Sequence, residues 1–361
     1  MEGHMKGSVS ARKLSTAFAG CFLGAGYVSG REMWQFFGRF GPAGWVGLLL
    51  SISLLGGAGV LVLTLVRRTG RHELSFLMLP WQSPVLRLLL SLFSILLLFG
   101  VVTIMTAGTG AALRQAFGAP AWLCGLLFAL LIAALARLGL RGMLSIFSCA
   151  VPVLMLCTVI FGAAALILLP DSPPPEYQEG IWWLPSAVAF TAYNMFSAVA
   201  ILAPLGGETA PRVVPKGIAL GWVTLLAVAA PILLALNRCA GAVGEEFPML
   251  LVVTALSPAL SVPYLCLLMI AMIITSFSCF LAGTERIPVV SGLCGWKKTA
   301  AFFCLAAVAW VGSLLGFGRI ISLIYPVFGG VSAFFLTGMV IRFCMECCKQ
   351  RETEKNQRDV Q

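Results

Sequence analysis

Hydrophobic residues run along this chain in long unbroken stretches rather than in the one-face rhythm of a soluble helix. Apolar segments near 14–37, 43–66, 86–113, 120–138, 144–169, 184–205, 217–238, 259–283, 299–317 and 320–343 can each cross about 30 Å of hydrocarbon at ~1.5 Å per residue. The pattern predicts an all-α membrane protein with ten transmembrane helices. The first stretch is interrupted by Gly24-Ala25-Gly26-Tyr27-Val28-Ser29-Gly30, and the charged pair Arg31-Glu32 follows directly. Each glycine weakens a helix by roughly 1 kcal/mol relative to alanine, and backbone groups freed in hydrocarbon must find partners. The break is therefore expected to face protein or a water-filled cavity. Membrane carriers use such unwound backbone near the midplane to hold a solute.

A second interruption is expected half a chain later, because carrier folds are commonly built from two inverted repeats. The sixth stretch holds Phe190-Thr191-Ala192-Tyr193-Asn194-Met195-Phe196-Ser197 and ends in Pro204-Leu205-Gly206-Gly207-Glu208. After each expected break come a half-helix, a Gly/Pro turn and a new apolar span. The expected architecture is a five-plus-five inverted repeat with spans 1 and 6 broken. One transmembrane transporter domain, 1–348, holds repeat one at about 14–169 and repeat two at about 184–343. A polar tail, 349–361, is expected to be disordered.

Composition agrees with a bilayer setting: 60% of residues are hydrophobic and 11% charged, against roughly 25% charged in soluble domains. The mean hydropathy is +0.98. Charge then orients the chain. Nineteen of the 24 Lys and Arg residues fall on one side of the alternating topology, from Lys6, Arg12 and Lys13 through Arg67, Arg137, Arg212 and Arg286 to Arg358. Arg31, Arg39, Arg114, Arg238 and Arg319 are left on the other. Positive residues collect in the cytoplasm, so both termini are expected inside the cell membrane. The net charge of +10 is thus distributed over cytoplasmic loops beside anionic lipid, and nucleic acid is not an expected partner. No cleavable signal is expected, because the first apolar span is too long for a signal core.

The chemistry-bearing inventory is sparse. Histidine occurs only at His4 and His72, and aspartate only at Asp171 and Asp359, all in polar segments. No span therefore offers a Ser-His pair, a His-based metal site or an aspartyl pair, and neither an enzyme nor a resident metal or organic cofactor is expected. Most of the 12 cysteines are scattered singly through apolar spans, where they act as small hydrophobes. Cys344, Cys347 and Cys348 cluster after the last span, and they are expected to be reduced and unpaired.

The run from Gly24 to Glu32, followed by Gln35-Phe36-Phe37-Gly38-Arg39-Phe40-Gly41, resembles the first-span signature of the YkvI-type bacterial membrane proteins. Tyr193-Asn194 is also similar to that group. Arg31 departs from it, where an uncharged polar residue such as glutamine is expected. The resemblance implies the amino acid-polyamine-organocation superfamily and the fold of the leucine transporter.

A half-helix starting near the break presents unpaired N–H groups and a positive dipole end, which suits a carboxylate. The expected solute is a small amino acid or related amine, held by Gly24, Ala25, Gly26, Tyr27, Ser29, Gly30, Phe190, Tyr193, Asn194 and Ser197. Carbonyls released around Gly20 and Leu23 could coordinate a cation. In sodium-coupled relatives a Thr/Ser pair on the eighth span completes that site, and Thr275-Ser276 occupies a matching depth. Sodium and a proton both stand as coupling ions. The competing reading of the glycines is close helix packing, and of Thr275 and Ser276 a bond to their own helix.

Four further residues are expected at gates. Arg31 and Glu32 flank the break, with Glu32 either coupling to protons or pairing with Arg39, Arg238 or Arg319 at the outer face. Glu285 ends the eighth span, where relatives close their inner gate against a basic N-terminal residue such as Arg12 or Lys13. A solvated loop is the alternative there. The competing functional class is a membrane receptor or sensor that binds a small ligand and moves nothing.

Overall fold

The computed structural model describes residues 9–170, 175–242 and 244–359, and among these every regular element is helical. His4, Lys6 and Asp171 lie outside the described residues. The first apolar stretch forms three pieces, α1 (Ala11–Phe22), α2 (Ala25–Ser29) and α3 (Arg31–Phe36). There follow α4 (Pro42–Thr69), the short α5 (Leu74–Met78), α6 (Pro84–Phe117), α7 (Ala121–Ala136) and α8 (Gly139–Leu168). The second half holds α9 (Trp183–Glu208), α10 (Val214–Arg238), α11 (Pro248–Leu256), α12 (Ser261–Glu285), α13 (Pro288–Ser291), α14 (Gly295–Ser313) and α15 (Phe317–Asp359).

Among the described residues seven helices are long and apolar enough to cross a membrane: α4, α6, the part of α8 from Ala150, α9, α10, α12 with the turn before it, and α15 to Lys349. The outer faces of these and neighbouring helices stay apolar. Leu88, Leu92 and Leu96 line one exposed strip of α6, and Val308 and Val311 one of α14. In water such strips would associate; against lipid they are simply solvated. Helix ends follow local chemistry: α4 and α6 stop at Gly70 and Gly118, both left-handed, and α4 and α6 open with proline in the first turn.

The most extensive helix pairs are α4 with α9, α6 with α12, α1 with α10, and α9 with α15. They bring the pieces of the first stretch into the middle of the molecule, where Phe18, Tyr27, Phe37 and Phe190 are almost fully buried.

Two expectations about local structure are corrected. The sixth stretch is not broken: α9 runs as one helix from Trp183 to Glu208. Its polar residues turn back on their own helix, with Thr191 Oγ1 donating to Ala187 O at 2.9 Å, Asn194 Nδ2 to Phe190 O at 3.0 Å and Ser197 Oγ to Tyr193 O at 3.2 Å. No glycine precedes Gly206, and Pro204, near the end of α9, is carried within the helix. The tail also differs, since α15 continues as helix to Asp359. Its polar end is rich in Lys, Arg, Glu and Gln, all good helix formers, and Glu346 pairs with Arg342 at 3.3 Å and Lys349 at 3.4 Å just before it.

Candidate functional site: a cavity beside the interrupted first helix

The interruption has two hinges. At the first, Gly24 is extended (φ −112°, ψ −167°), and its N–H reaches back only to Phe22 O at 2.9 Å. Its normal helical acceptor, Gly20 O, is thereby released, and Cys21 O loses Ala25 N–H, which donates to Thr275 Oγ1 at 3.3 Å. At the second hinge Gly30 adopts φ 75°, a left-handed conformation that side-chain-bearing residues avoid. Ser29 Oγ donates to Gly26 O at 3.1 Å and accepts from Arg31 N–H at 3.2 Å. The Val28 carbonyl accepts from the buried Tyr264 hydroxyl.

The second hinge turns α3 so that Glu32 folds back over Gly26. A Cβ on Gly26 would lie 2.0 Å from Glu32 Cδ, so only glycine allows the carboxylate to rest there. Glu32 is 9% exposed. Its Oε1 accepts from the Tyr325 hydroxyl at 2.7 Å, and no described Lys or Arg forms an ion pair with it. The Tyr193 hydroxyl lies beside the same carboxylate, buried and without a hydrogen bond of normal geometry. The Tyr193 and Tyr325 rings stack at 5.4 Å, and Phe36 sits 5.7 and 5.6 Å from them. Phe190 packs on Phe36 at 5.3 Å and on Phe37 at 4.9 Å, which closes this side.

From Glu32 a cavity of about 830 Å³ leads away. Gly20 to Gly26 form one wall, Leu97, Leu98, Val101 and Met105 of α6 another, and Tyr193, Asn194 and Ser197 of α9 a third. Along α12 it passes Thr275, Ser278 and Ala282 to Glu285, about 15 Å for ten residues of helix. Its rim carries Arg137, Glu285, Arg286 and Lys298, while no described residue from Met33 to Leu96 or from Leu202 to Ile273 lines it. The cavity is open at the charged rim and blind at Glu32. Desolvation lowers the Arg286 guanidinium from its ordinary value, yet arginine keeps its proton in proteins. The volume lies within the usual range of small-molecule pockets, about 300–1,000 Å³.

Of the residues expected to hold the solute, Gly24, Ala25, Gly26, Tyr193, Asn194 and Ser197 line this cavity. Tyr27, Ser29, Gly30 and Phe190 do not; they shape the hinges and the packing behind it. Of the expected ion ligands, Gly20, Leu23 and Thr275 line it, whereas Ser276 faces away, fully buried with an unpartnered hydroxyl. Thr275 already accepts the Ala25 N–H, a capping role.

The gate residues fare differently. Glu285 is paired with Lys298 at 3.7 Å, not with Arg12 or Lys13, because the short α13 turn brings the start of α14 back beside the end of α12. Arg12 and Lys13 are exposed in the first turn of α1. Arg31 donates to the Glu245 carbonyl at 2.8 Å, tying α3 to the segment after α10. Glu32 pairs with Tyr325 rather than with Arg39, Arg238 or Arg319. Tyr325 is the residue of this site that sequence reading missed. A signal existed: it is one of five tyrosines, placed inside an apolar span, and a buried phenol normally finds a partner. Among the described residues no three His, Cys, Asp or Glu side chains group as metal ligands, and the described cysteines are free.

A helical membrane protein whose interrupted first segment borders a one-sided cavity has the fold of a membrane transporter. Solved structures carry the same architecture. Mhp1 in its inward-facing conformation matches with a TM-score of 0.65 over 92% of this chain and 76% of that one, at 14% identity. The Eremococcus coleocola manganese transporter matches with a TM-score of 0.57 over 95% and 78%, also at 14% identity. In sequence, the chain is homologous to the membrane protein YkvI of Bacillus subtilis, 28% identical over 342 residues that cover 92% of this chain and 96% of YkvI. YyaD of the same organism is 25% identical over 337 residues, 89% of this chain and 94% of its own. The resemblance carried by the first span thus extends over nearly the whole chain. No protein-family model matches it.

Proposed function

We propose that this protein is a secondary carrier of a small amino-bearing solute, an amino acid or related amine, working by alternating access and standing here open to the cytoplasm. The observation that carries the reading is the one-sided cavity, which joins the helix interruption to a charged rim while Phe36, Phe190, Tyr193 and Tyr325 shut the far end. Carriers expose one site to one face at a time, and a continuous pore would have no blind end. The volume and the apolar α6 wall favour an organic solute over a bare metal ion.

Ten crossings complete the picture: α7, α14 and the α1–α3 set add three to the seven long helices. Packing supports the inverted repeat, because span 1 lies on span 7 (α1 on α10) just as span 6 lies on span 2 (α9 on α4). In this topology the rim residues Arg137, Arg286 and Lys298 and both termini belong to the positive, cytoplasmic side of the cell membrane. The released Gly20 and Cys21 carbonyls with the Thr275 hydroxyl form a place for sodium; Glu32 offers a route for a proton instead.

Reconstitution into proteoliposomes tests the proposal. Saturable uptake or counterflow of an amino acid or amine is the expected result, and binding without movement would make the protein a sensor. Sodium is expected to raise the thermal unfolding temperature, by mass action, in the native chain but not in Thr275→Val. If sodium leaves both unchanged while a pH gradient drives uptake, the coupling ion is the proton.

A further inference from the structure

We propose that the positively charged amine of the solute docks on Glu32, between the Tyr193 and Tyr325 hydroxyls at the blind end of the cavity, so that an amine without any carboxylate is recognised. The inference rests on reading the cavity as the solute site and specifies which end of the solute enters first.

Three observations carry it. The place beside the half-helix where a solute carboxylate would sit is already taken by a carboxylate: Glu32 rests on Gly26, and the first N–H of α2 is used by Thr275. An anion arriving there would meet a like charge in contact. Next, Glu32 is under-partnered. Tyr325 holds one oxygen, and the Tyr193 hydroxyl, although it lies beside the carboxylate, makes no hydrogen bond of normal geometry, which leaves acceptor capacity open on Glu32. A buried carboxylate in that position is favourable only with a donor or a cation to compensate its desolvation. An ammonium brings three N–H donors, enough for the open carboxylate oxygen and the Tyr193 hydroxyl together. Finally, Tyr193 and Tyr325 both line the cavity at this end, and their hydroxyl oxygens can accept from an ammonium as well as donate to Glu32.

The rest of the cavity fits an apolar body. Leu97, Leu98, Val101 and Met105 face the path from Glu32 toward the rim. Glu285, which pairs with the rim cation Lys298, stands ten residues and about 15 Å of helix rise beyond Thr275, a longer path than the body of a small amino acid spans.

Binding to the purified full chain, by calorimetry, tests this with two matched sets: leucine, isoamylamine and isocaproate; phenylalanine, phenethylamine and hydrocinnamate. The expected result is that at least one amine binds within about tenfold of its amino acid and that neither deaminated acid binds. Glu32→Gln is expected to weaken the amine by about thirtyfold or more, while Glu32→Asp retains binding. Acids binding as well as amines, no binding by either amine, or unchanged amine binding in Glu32→Gln would each overturn the proposal. The amine-against-acid comparison uses the unmodified chain, so it stands even where a variant fails to fold. Uptake separates the two readings: Glu32-dependent amine binding without uptake defeats the carrier and leaves this site, whereas saturable uptake of the acids, or uptake that loses only its pH dependence in Glu32→Gln, defeats this site and leaves the carrier.

Discussion

Gly26 has no room for a side chain, because the Glu32 carboxyl occupies the space where a Cβ would stand, at 2.0 Å. Gly26→Ala is therefore expected to displace that carboxylate and weaken solute binding by about tenfold or more, through a shift of an ångström-scale contact rather than loss of a functional group. Gly57 provides the control. It lies exposed in α4 with nothing within 4 Å of an added Cβ, so Gly57→Ala should bind as the native chain and gain about 0.5–1 kcal/mol of helix stability. Paired calorimetry and thermal unfolding of the two variants check both statements. At this scale the sequence exposed Glu32 as the odd acid in an apolar span, but not its partner. Tyr325 lies 293 residues away, and no spacing rule connects the two.

At the scale of the element, the contrast between the first stretch and α9 shows what breaks a helix here. Glycine at both hinges lets the backbone turn: Gly24 is extended and Gly30 left-handed. In α9 the polar side chains of Thr191, Asn194 and Ser197 each bond a carbonyl one turn back and leave the helix intact. Polarity alone does not distinguish these outcomes, since a hydroxyl or amide serves its own helix as readily as a ligand. Gly30→Ala should consequently be more harmful than a glycine change in a regular helix. It would force φ 75° on a residue with a Cβ, about 1–2 kcal/mol, and bring that Cβ to 2.6 Å from Met249 Cγ. A lowered unfolding temperature, against the raised one of Gly57→Ala, is the expected readout.

For the whole molecule, one-sided access is the testable property. Ala282 lies on α12 along the open part of the cavity, while Phe36 lies behind the blind end. In a background freed of native cysteines, Ala282→Cys should react with a membrane-impermeant thiol reagent applied from the cytoplasmic face, and bound solute should slow it. Phe36→Cys should stay unlabelled from that face. Equal labelling of both positions from both faces would contradict a carrier held open on one side.

The apolar stretches that became helices, and the weak point at Gly24 to Gly30, were written in the chain itself. Hydrocarbon selects by composition along a short window, and glycine weakens a helix wherever it stands. Which helices meet was decided only in three dimensions. The continuity of α9, the Glu285–Lys298 pair, the Thr275 cap on α2 and the Tyr325 bond to Glu32 all depend on side chains brought together by packing across large sequence separations. Local preference carries no record of such distant neighbours, so the tertiary structure alone determined them.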